Sequence, residues 1–319
     1  MKFSRRALLT VPLATLFLAS CAREKPDERI VLGFSQIGAE SEWRTANTES
    51  IKTAAATMNI DLRFADAQQK QENQIKALRT FIAQKVDVIA FSPVVATGWD
   101  TVLREAKAAG IPVILTDRAV TSDPSLYVGF LGSDFIEEGR KAGRWVSETF
   151  KETTTDVNII ELQGTVGSAP ANDRKTGFEE VIAANPHLKI IRSQSGDFTR
   201  AKGKETMEAI LKSESRKMHV LYAHNDDMAI GAIQAIEEAG YRPGKDIFIV
   251  SIDAVKGAFE AMIAGKLNAT IECNPLLGPQ LMTSVAEVVA GRPIPKRIVV
   301  EETMFTMDTA KQYIQTRKY

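Results

Sequence analysis

The chain has 319 residues, of which 40 are basic and 40 are acidic, so its formal net charge is zero. This balance argues against a nucleic-acid-binding protein, because neutralising phosphates requires a basic surplus, and no lysine- or arginine-rich run is present. The composition, 44% hydrophobic and 7% aromatic, is ordinary for a globular protein, and the length exceeds what one hydrophobic core usually supports. We therefore expect two domains and no nucleic-acid partner.

The N-terminal residues have the pattern of an export signal followed by a tether. Three basic residues precede an apolar stretch at 7–18 that is too short to span a bilayer. The small residues before Cys21 resemble a bacterial lipobox, in which the cysteine becomes lipidated; an ordinary signal peptide with an incidental cysteine is the alternative. We predict a signal peptide at 1–21, a tether at 22–29 and a lipid anchor on Cys21. The protein is then expected in the periplasm or at the cell surface.

Short apolar runs alternate with amphipathic stretches in the first half of the remaining chain. For example, Ile75, Leu78, Phe81 and Ile82 recur at helical spacing. We predict strands at 30–34, 60–65, 86–91 and 111–116, and helices at 43–58, 72–84 and 101–109. Strands that alternate with helices need crossover connections, so the sheet is expected to be mainly parallel.

The same alternation begins again at residue 157. Strands are predicted at 157–162, 188–193, 218–223 and 247–252, helices at 174–184, 200–213 and 228–239, and then a strand at 269–273, a helix at 281–290 and a strand at 298–304. The last three elements are too short for a third domain, so we expect them to complete the first two. The predicted fold class is α/β, with two similar Rossmann-like lobes joined by several chain crossings that form a hinge.

Polar residues follow many of the predicted strands. Open parallel sheets bind ligands outside the carboxyl ends of their strands, so these residues are candidates for a binding site. They are Gln36, Glu40, Trp43 and Arg44 after the first strand, Asp117 and Arg118 after the fourth, and Arg174, Phe198, Asn225 and Asp253 in the second half. Carboxylates accept hydrogen bonds from hydroxyl groups, guanidinium groups donate them, and aromatic faces cover C–H surface. This set predicts a site for a small polyhydroxylated molecule such as a sugar.

Some of these strand-end residues have a structural alternative. Asp226 and Asp227 stand at the start of a predicted helix, where capping and the helix dipole explain them better than ligand binding. The position of Asn225 at the strand end favours a ligand. Trp43 is explained equally well by core packing and by ligand contact.

Several long segments resemble the periplasmic sugar-binding proteins of the ribose and galactose type, which serve ABC transporters. They include FSQIGAESEWR at 34–44, RSQSGDFTRAKGKE at 192–205 and YAHNDDMAIGAIQAIEEAGYRPGKDI at 222–247. The resemblance covers residues 30–319 and is greatest to the members that bind galactofuranose. It implies the type I fold of periplasmic binding proteins, in which two lobes joined by three hinge strands close on one sugar. The closed form then docks on a permease in the membrane.

The resemblance also implies roles for individual residues. The ligand contacts of the family fall on Gln36, Glu40, Trp43, Arg44, Asp117, Arg118, Arg174, Phe198, Asn225 and Asp253. The N-terminal lobe is expected to comprise 30–130 and 273–300, and the C-terminal lobe 131–272 and 301–319. We expect a monomer without a cofactor. Because no DxDxDG loop is present, we also expect no calcium.

Two departures from the ribose-binding pattern bear on the ligand. Ribose binders stack two adjacent phenylalanines on the sugar, whereas this chain has Trp43 and Arg44. An aromatic face is thereby exchanged for a hydrogen-bond donor, which suits a ligand with an additional hydroxylated arm. Ribose binders also carry a glutamine in the hinge strand where this chain has Cys273. If Cys21 is lipidated, Cys273 is the one remaining thiol, and no intramolecular disulfide is possible.

Other classes of function lack their motifs. The sequence has no GxSxG, no HExxH and no GxG loop, and its three histidines are not at metal-ligand spacing, so we expect no enzymatic activity. A transcription regulator of this fold would need a DNA-binding headpiece where this chain has a signal segment. We predict a binding protein that delivers a monosaccharide, with galactofuranose as the first candidate, to an ABC importer. The alternatives are a binding protein for another pentose or hexose, a ligand carrier for a chemoreceptor or sensor, and, less favoured, a hydrolase.

Overall fold

The computed structural model describes residues 29–319, so the predicted signal peptide and the predicted lipidation site at Cys21 lie outside the described part of the chain. The described residues form two six-stranded sheets. Many strands are apolar along their whole length, and all four residues of VLYA in the second sheet are buried. Runs of this kind are expected where helices cover both faces of a parallel sheet.

The first sheet has the spatial order β11-β5-β4-β3-β1-β2, and its neighbouring strands are parallel. Its strands are β1 Val31–Gln36, β2 Asp61–Asp66, β3 Val88–Phe91, β4 Val113–Thr116, β5 Gly129–Gly132 and β11 Arg297–Val299. The helices of this lobe are α1 Glu42–Thr57, α2 Gln71–Ala83, α3 Asp100–Ala108 and α9 Gly278–Val289. Two hydrophobic clusters, one containing Phe34 and Leu281 and the other Phe91 and Trp99, form the core of the lobe.

The second sheet has the equivalent order β12-β10-β9-β8-β6-β7. Its strands are β6 Val157–Gln163, β7 Leu188–Ser195, β8 Val220–Ala223, β9 Phe248–Asp253, β10 Ala269–Glu272 and β12 Met304–Thr306; β12 is antiparallel to β10 and the other pairs are parallel. The helices are α4 Phe135–Thr149, α5 Ala169–Ile182, α6 Arg200–Ser213, α7 Asp226–Glu238, α8 Lys256–Ile263 and α10 Ala310–Tyr313. One large cluster that includes Phe178 and Tyr222 forms the core of this lobe.

Within residues 29–319 the chain crosses three times between the sheets. The crossings follow β5, follow β10 and connect β11 to β12. The predicted two-lobe α/β fold with a three-stranded hinge is confirmed. The predicted lobe boundary at 130/131 falls inside β5, so the first crossing begins after Gly132 instead. The remaining boundaries stay predictions.

Four elements, β5, α4, α8 and α10, are missing from the sequence prediction, and the single strand predicted at 298–304 is two strands, β11 and β12, in different sheets. The four residues of β5 are GFLG, and two glycines in four residues weaken a strand pattern. Helix α4 contains Gly139 and Gly143, which also weaken a helix pattern. Helix α5 begins at Ala169 rather than at the predicted residue 174, because Ser168 caps it and Pro170 occupies its first turn. Arg174 therefore lies in the second turn of this helix, not at its start.

Helix N-termini face the carboxyl ends of the strands that precede them. Ser41, Asp134, Ser168, Thr199 and Asn225 each accept a hydrogen bond from the first turn of the helix that follows. These caps fix the direction in which each helix leaves its strand. Side chains of the first two helical turns are thereby directed to the edge between the lobes. No helix in residues 29–319 combines the length and the apolar character needed to cross a bilayer.

Candidate ligand-binding cleft

A cavity lies between the two lobes, where the carboxyl ends of both sheets face each other. It contains about 300 Å³ of empty space, which includes space open to solvent. Its walls are formed by Glu40, Ser41, Trp43, Arg44, Asp117, Arg118, Pro170, Arg174, Phe198, Asn225, Asp253 and Cys273. All the predicted ligand-binding residues except Gln36 therefore meet at one cavity.

The wall of the first lobe is built around the guanidinium group of Arg44. Its Nε lies 2.9 Å from Glu40 Oε1, and Nη2 lies 2.8 Å from Asp117 Oδ2. Ser92 donates a hydrogen bond to the same aspartate oxygen at 2.8 Å. Burial opposes ionisation of Asp117, but the adjacent Arg44 and Arg118 outweigh it, and the pKa of Asp117 lies below its usual value. This carboxylate is therefore charged at neutral pH.

Two polar atoms of this wall have unused hydrogen-bonding capacity. Arg118 donates from Nη1 to the Val94 carbonyl at 2.9 Å, but its buried Nε has no acceptor within the described chain. Glu40 binds Arg44 through Oε1, and its buried Oε2 has no donor among residues 29–319. Burial and the nearby Arg44 lower the pKa of Arg118 to about 10, so this side chain is still charged at neutral pH. Ligand hydroxyl groups would satisfy both atoms, which otherwise destabilise the fold.

The wall of the second lobe is built around Arg174. Its Nε donates to Glu138 Oε2 at 2.7 Å, and its Nη1 donates to the His224 carbonyl at 2.6 Å. Its Nη2 lies 3.6 Å from Asp253 Oδ1. Burial opposes the charge on Arg174, but the carboxylate of Glu138 outweighs it and raises its pKa. For Asp253 burial dominates and raises the pKa, which favours a neutral carboxyl group that donates as well as accepts hydrogen bonds.

Phe198 contributes an aromatic face between two cations. The Arg118 guanidinium lies 5.2 Å from the ring centroid and the Arg174 guanidinium 5.9 Å. The backbone of Phe198 has φ of 60°, which is uncommon for a bulky residue. A Cβ on Gly164 would come within 1.9 Å of the ring, so only glycine fits beside it. The tight turn and this glycine together hold the ring in the cavity wall.

The segment YAHNDD at 222–227 joins β8 to α7, and Asn225 has two structural roles there. Its Oδ1 accepts from the Met228 backbone nitrogen at 3.0 Å and caps α7. Its Nδ2 donates to the Phe198 carbonyl at 3.1 Å. Asn225 therefore positions both the helix and the aromatic ring, in addition to lining the cavity.

The neighbouring aspartates do not cap α7 with their side chains, which corrects the prediction made for them. Buried Asp226 accepts hydrogen bonds from the hydroxyl groups of Ser251 and Thr270 and from the backbone nitrogen of Val255. Asp227 accepts a hydrogen bond from the Glu42 backbone nitrogen of the first lobe and forms an ion pair with Arg200 on α6. Both acids still lie in the first turn of α7, where the helix dipole favours negative charge.

Gln36 and Trp43 differ in how they relate to the cavity. The Oε1 of Gln36 accepts from Arg44 Nη1 at 3.3 Å, and its amide donates to Asn47 at 2.9 Å. This side chain is fully buried and does not line the cavity, and its contact helps to hold Arg44 in place. Its predicted ligand contact stays a prediction. Trp43 lines the cavity, while its indole N–H donates to the Cys273 carbonyl at 2.6 Å. Trp43 is therefore buried and also lines the cavity, and its predicted ligand contact stays a prediction.

The lobes contact each other at two places beside the cavity. The backbone nitrogen of Glu42 donates to Asp227 Oδ2 at 2.8 Å, and Arg200 lies 2.9 Å from the other oxygen of that carboxylate. Elsewhere, the backbone nitrogen of Ala96 donates to the Gly167 carbonyl at 2.9 Å. These bonds connect one lobe directly to the other, so the structure is a closed arrangement.

Four residues that line or support this site are outside the predicted set, namely Ser41, Pro170, Cys273 and Glu138. Cys273 directly follows β10, so the rule that selected the other strand-end residues would also have selected it. Glu138 holds Arg174 but lies 36 residues away from it in the chain, inside a helix that the prediction lacks. No local pattern indicates this pairing.

Two α/β lobes that close over a cavity with converging charged side chains define a two-lobe ligand-binding protein. The family model of the periplasmic binding protein domain matches residues 32–293. The chain therefore belongs to the periplasmic binding protein family. Among its relatives, the galactofuranose-binding protein YtfQ of Escherichia coli K12 is 46% identical over 98% of each chain.

Two solved structures are similar over most of their length. A Mycobacterium smegmatis protein in complex with β-D-fucofuranose has a TM-score of 0.89 and 57% identity, and the match covers 91% of this chain and 95% of that one. The binding protein of the arabinose ABC transporter from Shewanella sp. ANA-3, bound to α- and β-L-arabinofuranose, has a TM-score of 0.87 and 50% identity, covering 90% and 95%. The resemblance stated from the sequence is confirmed at the level of the family.

Proposed function

We propose that this protein is the solute-binding component of an ABC importer and that it captures one monosaccharide in its furanose form. Galactofuranose is the first candidate for the ligand. The observation that carries the proposal is the cavity of about 300 Å³ between closed lobes, whose walls include the unpartnered polar atoms of Glu40 and Arg118. The ligands of the three relatives named above support the furanose ring.

The charges of the cavity favour an uncharged ligand rich in hydroxyl groups. The guanidinium groups of Arg44, Arg118 and Arg174 are opposed by the carboxylates of Glu40, Asp117 and Glu138. Since positive and negative charges balance, the wall offers no surplus for a phosphate or a carboxylate. Hydroxyl groups both donate and accept, and Phe198 provides a face for C–H groups.

The ligands of the relatives differ mainly in the arm outside the ring. Fucofuranose lacks the terminal hydroxyl of galactofuranose, and arabinofuranose lacks the terminal carbon. Arg44 is occupied by Glu40 and Asp117, whereas Nε of Arg118 has no acceptor in residues 29–319, so we propose that it donates to such an arm. Another pentose or hexose that presents the same ring is the runner-up.

We propose the rest of the transport assignment from the family and from the N-terminal pattern. The protein would be held at a membrane by a lipid on Cys21, act as a monomer and dock in its closed form on a permease. A role as ligand carrier for a sensor would use the same closed form. No chemical reaction is proposed, because the relatives are named for binding and transport.

The proposal is tested by calorimetric titration of a form that starts at Ala22. The panel contains D-galactose, L-arabinose, D-ribose and methyl β-D-galactofuranoside, whose ring cannot open. Because the furanose is a minor form of dissolved galactose, we expect galactose to saturate the protein only in large excess over its sites. The furanoside is expected to bind at one molecule per chain. If ribose binds at one molecule per chain and neither galactose nor the furanoside binds, the galactofuranose assignment is refuted. If no sugar in the panel gives binding heat, sugar binding itself is refuted.

A further inference from the structure

A cluster of polar side chains at the hinge lies beside the cavity, and each of the three crossings contributes to it. Ser133 belongs to the first crossing, Cys273 and Asn274 to the second, and Glu302 to the third. Ser133 donates a hydrogen bond to Glu302 Oε1, and the backbone nitrogen of Asn274 donates to the same oxygen at 3.1 Å. The hydroxyl of Ser133 also lies 3.4 Å from Cys273 Sγ. The carboxyl group of Glu302 therefore connects all three crossings.

Glu138 on α4 links this hinge cluster to the cavity. Its Oε2 holds Arg174 at 2.7 Å, and its side chain is only 1% exposed. Its Oε1 is buried and has no hydrogen-bond donor within the described residues. One oxygen each of Glu138 and Glu302 and the sulfur of Cys273 lie within 4.8 Å of one another. A buried and a half-buried carboxyl group thus face each other, and the buried one has an acceptor that no donor in residues 29–319 satisfies.

A proton on Glu302 would resolve this arrangement. Two neighbouring buried carboxylates strongly disfavour double ionisation, and a protonated partner supplies the donor that Glu138 lacks. Burial and the adjacent Glu138 raise the pKa of Glu302 to about 9, and burial likewise raises the pKa of Cys273. The cations nearby are Arg174, which is bound to Glu138, and Lys141, which donates to the backbone carbonyl of Glu302 at 2.6 Å. The carboxyl groups of Asp253 and Asp173 also interact electrostatically with Glu138.

We propose that Glu138 and Glu302 share one proton in the closed form and that this carboxyl pair positions Arg174 for the sugar by holding the three crossings together. The inference rests on the proposed function, in which the closed form retains the ligand. Opening changes backbone torsions at the crossings and admits water to the pair, so the proton is held less strongly when the lobes are apart. Closing on a sugar then takes up a proton.

The sign of the pH dependence follows from this difference. Glu302 has the higher pKa in the closed form. The stabilisation of the closed form by this proton is therefore complete at pH values below the pKa of Glu302 in the open form. It is lost as pH rises through the pKa of the closed form. Sugar affinity therefore falls with rising pH, by at most about tenfold per pH unit, and levels off above about pH 9.

A bound cation is the competing explanation for three potential ligand atoms so close together. Arg174 already places a positive charge on Glu138, and Ser133 and Asn274 already donate to Glu302. Both contacts weaken the attraction for a second cation, so the structure favours the proton.

The test is titration with L-arabinose and D-galactose from about pH 6.5 to about pH 9.5. It compares the wild type, Glu302→Gln and, as a matched control, Glu301→Gln, whose side chain is exposed. The glutamine amide at position 302 can donate to Glu138 at every pH, so affinity of Glu302→Gln should be constant where that of the wild type falls. Glu301→Gln should follow the wild type. Equal pH profiles for the wild type and Glu302→Gln would overturn the proposal, and so would a gain in wild-type affinity on adding Zn²⁺ that EDTA reverses.

A measurement without sugar separates this inference from the proposed function. Without sugar the lobes can open, so the pKa of Glu302 then lies below the value of about 9 in the closed form but above its value in the unfolded chain. The free energy of unfolding of the wild type should therefore decrease as pH rises from about 4.5 and level off before about pH 9. In Glu302→Gln the free energy of unfolding should not show the decrease with pH that Glu302 causes in the wild type. Absence of sugar binding at neutral pH would refute the transport function alone. An unchanged stability profile in Glu302→Gln would refute the shared proton.

Discussion

At the scale of single residues, Asp117 separates two buried guanidinium groups. Its carboxylate lies 2.8 Å from Arg44 and 3.9 Å from Nε of Arg118. Its backbone has φ of 60°, the left-handed region that aspartate tolerates better than most residues. Removing this buried charge leaves the like charges of Arg44 and Arg118 facing each other, with Glu40 as the remaining partner of Arg44.

Substitution of Asp117 by asparagine should therefore lower the free energy of unfolding by about 3–5 kcal/mol, the usual cost of breaking a buried ion pair. Urea denaturation at neutral pH measures this loss. Asp61→Asn is the control, since Asp61 forms an exposed pair with Arg63 that should contribute only about 0–1 kcal/mol. A loss for Asp117→Asn no larger than that of the control would show that the buried array is not held together by this charge.

At the scale of elements, α4 and α5 pack with their backbones unusually close, and glycines make this possible. A Cβ on Gly139 would lie 2.2 Å from the Arg174 carbonyl oxygen, and a Cβ on Gly177 would lie 2.0 Å from the Ile136 carbonyl oxygen. The atoms in the way belong to the backbone, which cannot rotate aside as a side chain can. The close approach also brings Glu138 on α4 to Arg174 on α5.

Substitution of Gly177 by alanine should push α4 and α5 apart. Alanine improves the helix propensity by about 1 kcal/mol. The backbone overlap is nevertheless expected to dominate, with a net loss of about 1–3 kcal/mol in unfolding free energy and weaker sugar binding through a displaced Arg174. Thr176→Ala, an exposed position in the same helix, should change stability by less than about 0.5 kcal/mol. Urea denaturation measures the free energy of unfolding of both variants, and titration measures their sugar affinity. Wild-type values of both quantities in Gly177→Ala would contradict the packing argument.

At the scale of the whole molecule, the closed arrangement depends on contacts between lobes that have separate cores. Asp227 of the second lobe accepts from the Glu42 backbone of the first, and Arg200 neutralises it from the side. A contact that exists only when the lobes are closed favours the closed form by its own free energy. Such a contact therefore contributes to ligand affinity without touching the ligand.

Substitution of Asp227 by alanine should weaken sugar binding by about tenfold, which corresponds to the roughly 1.5 kcal/mol of one charge-assisted hydrogen bond. The change should appear as a faster dissociation rate, because the closed state is the one that retains the ligand. Asp246→Ala, at an ion pair with Arg242 in the same lobe, is the control and should leave affinity unchanged. Stopped-flow kinetics measure the sugar dissociation rate of both variants. A wild-type dissociation rate in Asp227→Ala would show that this contact does not stabilise the closed form.

Much of the fold could be predicted because its elements have strong local patterns. The helical spacing of Ile75, Leu78 and Phe81 predicts a helix at 72–84, and the structure has it at Gln71–Ala83. The polar residues at strand ends were predicted as a group because parallel strands present their carboxyl ends at one edge. β5 and α4 were missed, since their glycines serve close packing against other parts of the chain, which no local pattern reveals.

Two α/β lobes, with polar residues at the edge where parallel strands end, could be predicted from the amino-acid sequence. Those features depend on periodicity and on residue type, which are local properties. The folded structure was needed to show that Gln36 supports Arg44, that Arg118 Nε has no acceptor in residues 29–319, and that Glu138 holds Arg174. It alone brought Glu302 to Glu138 at the hinge. Hydrogen-bond partners are selected by distance and orientation in space, and neither is encoded in separation along the chain.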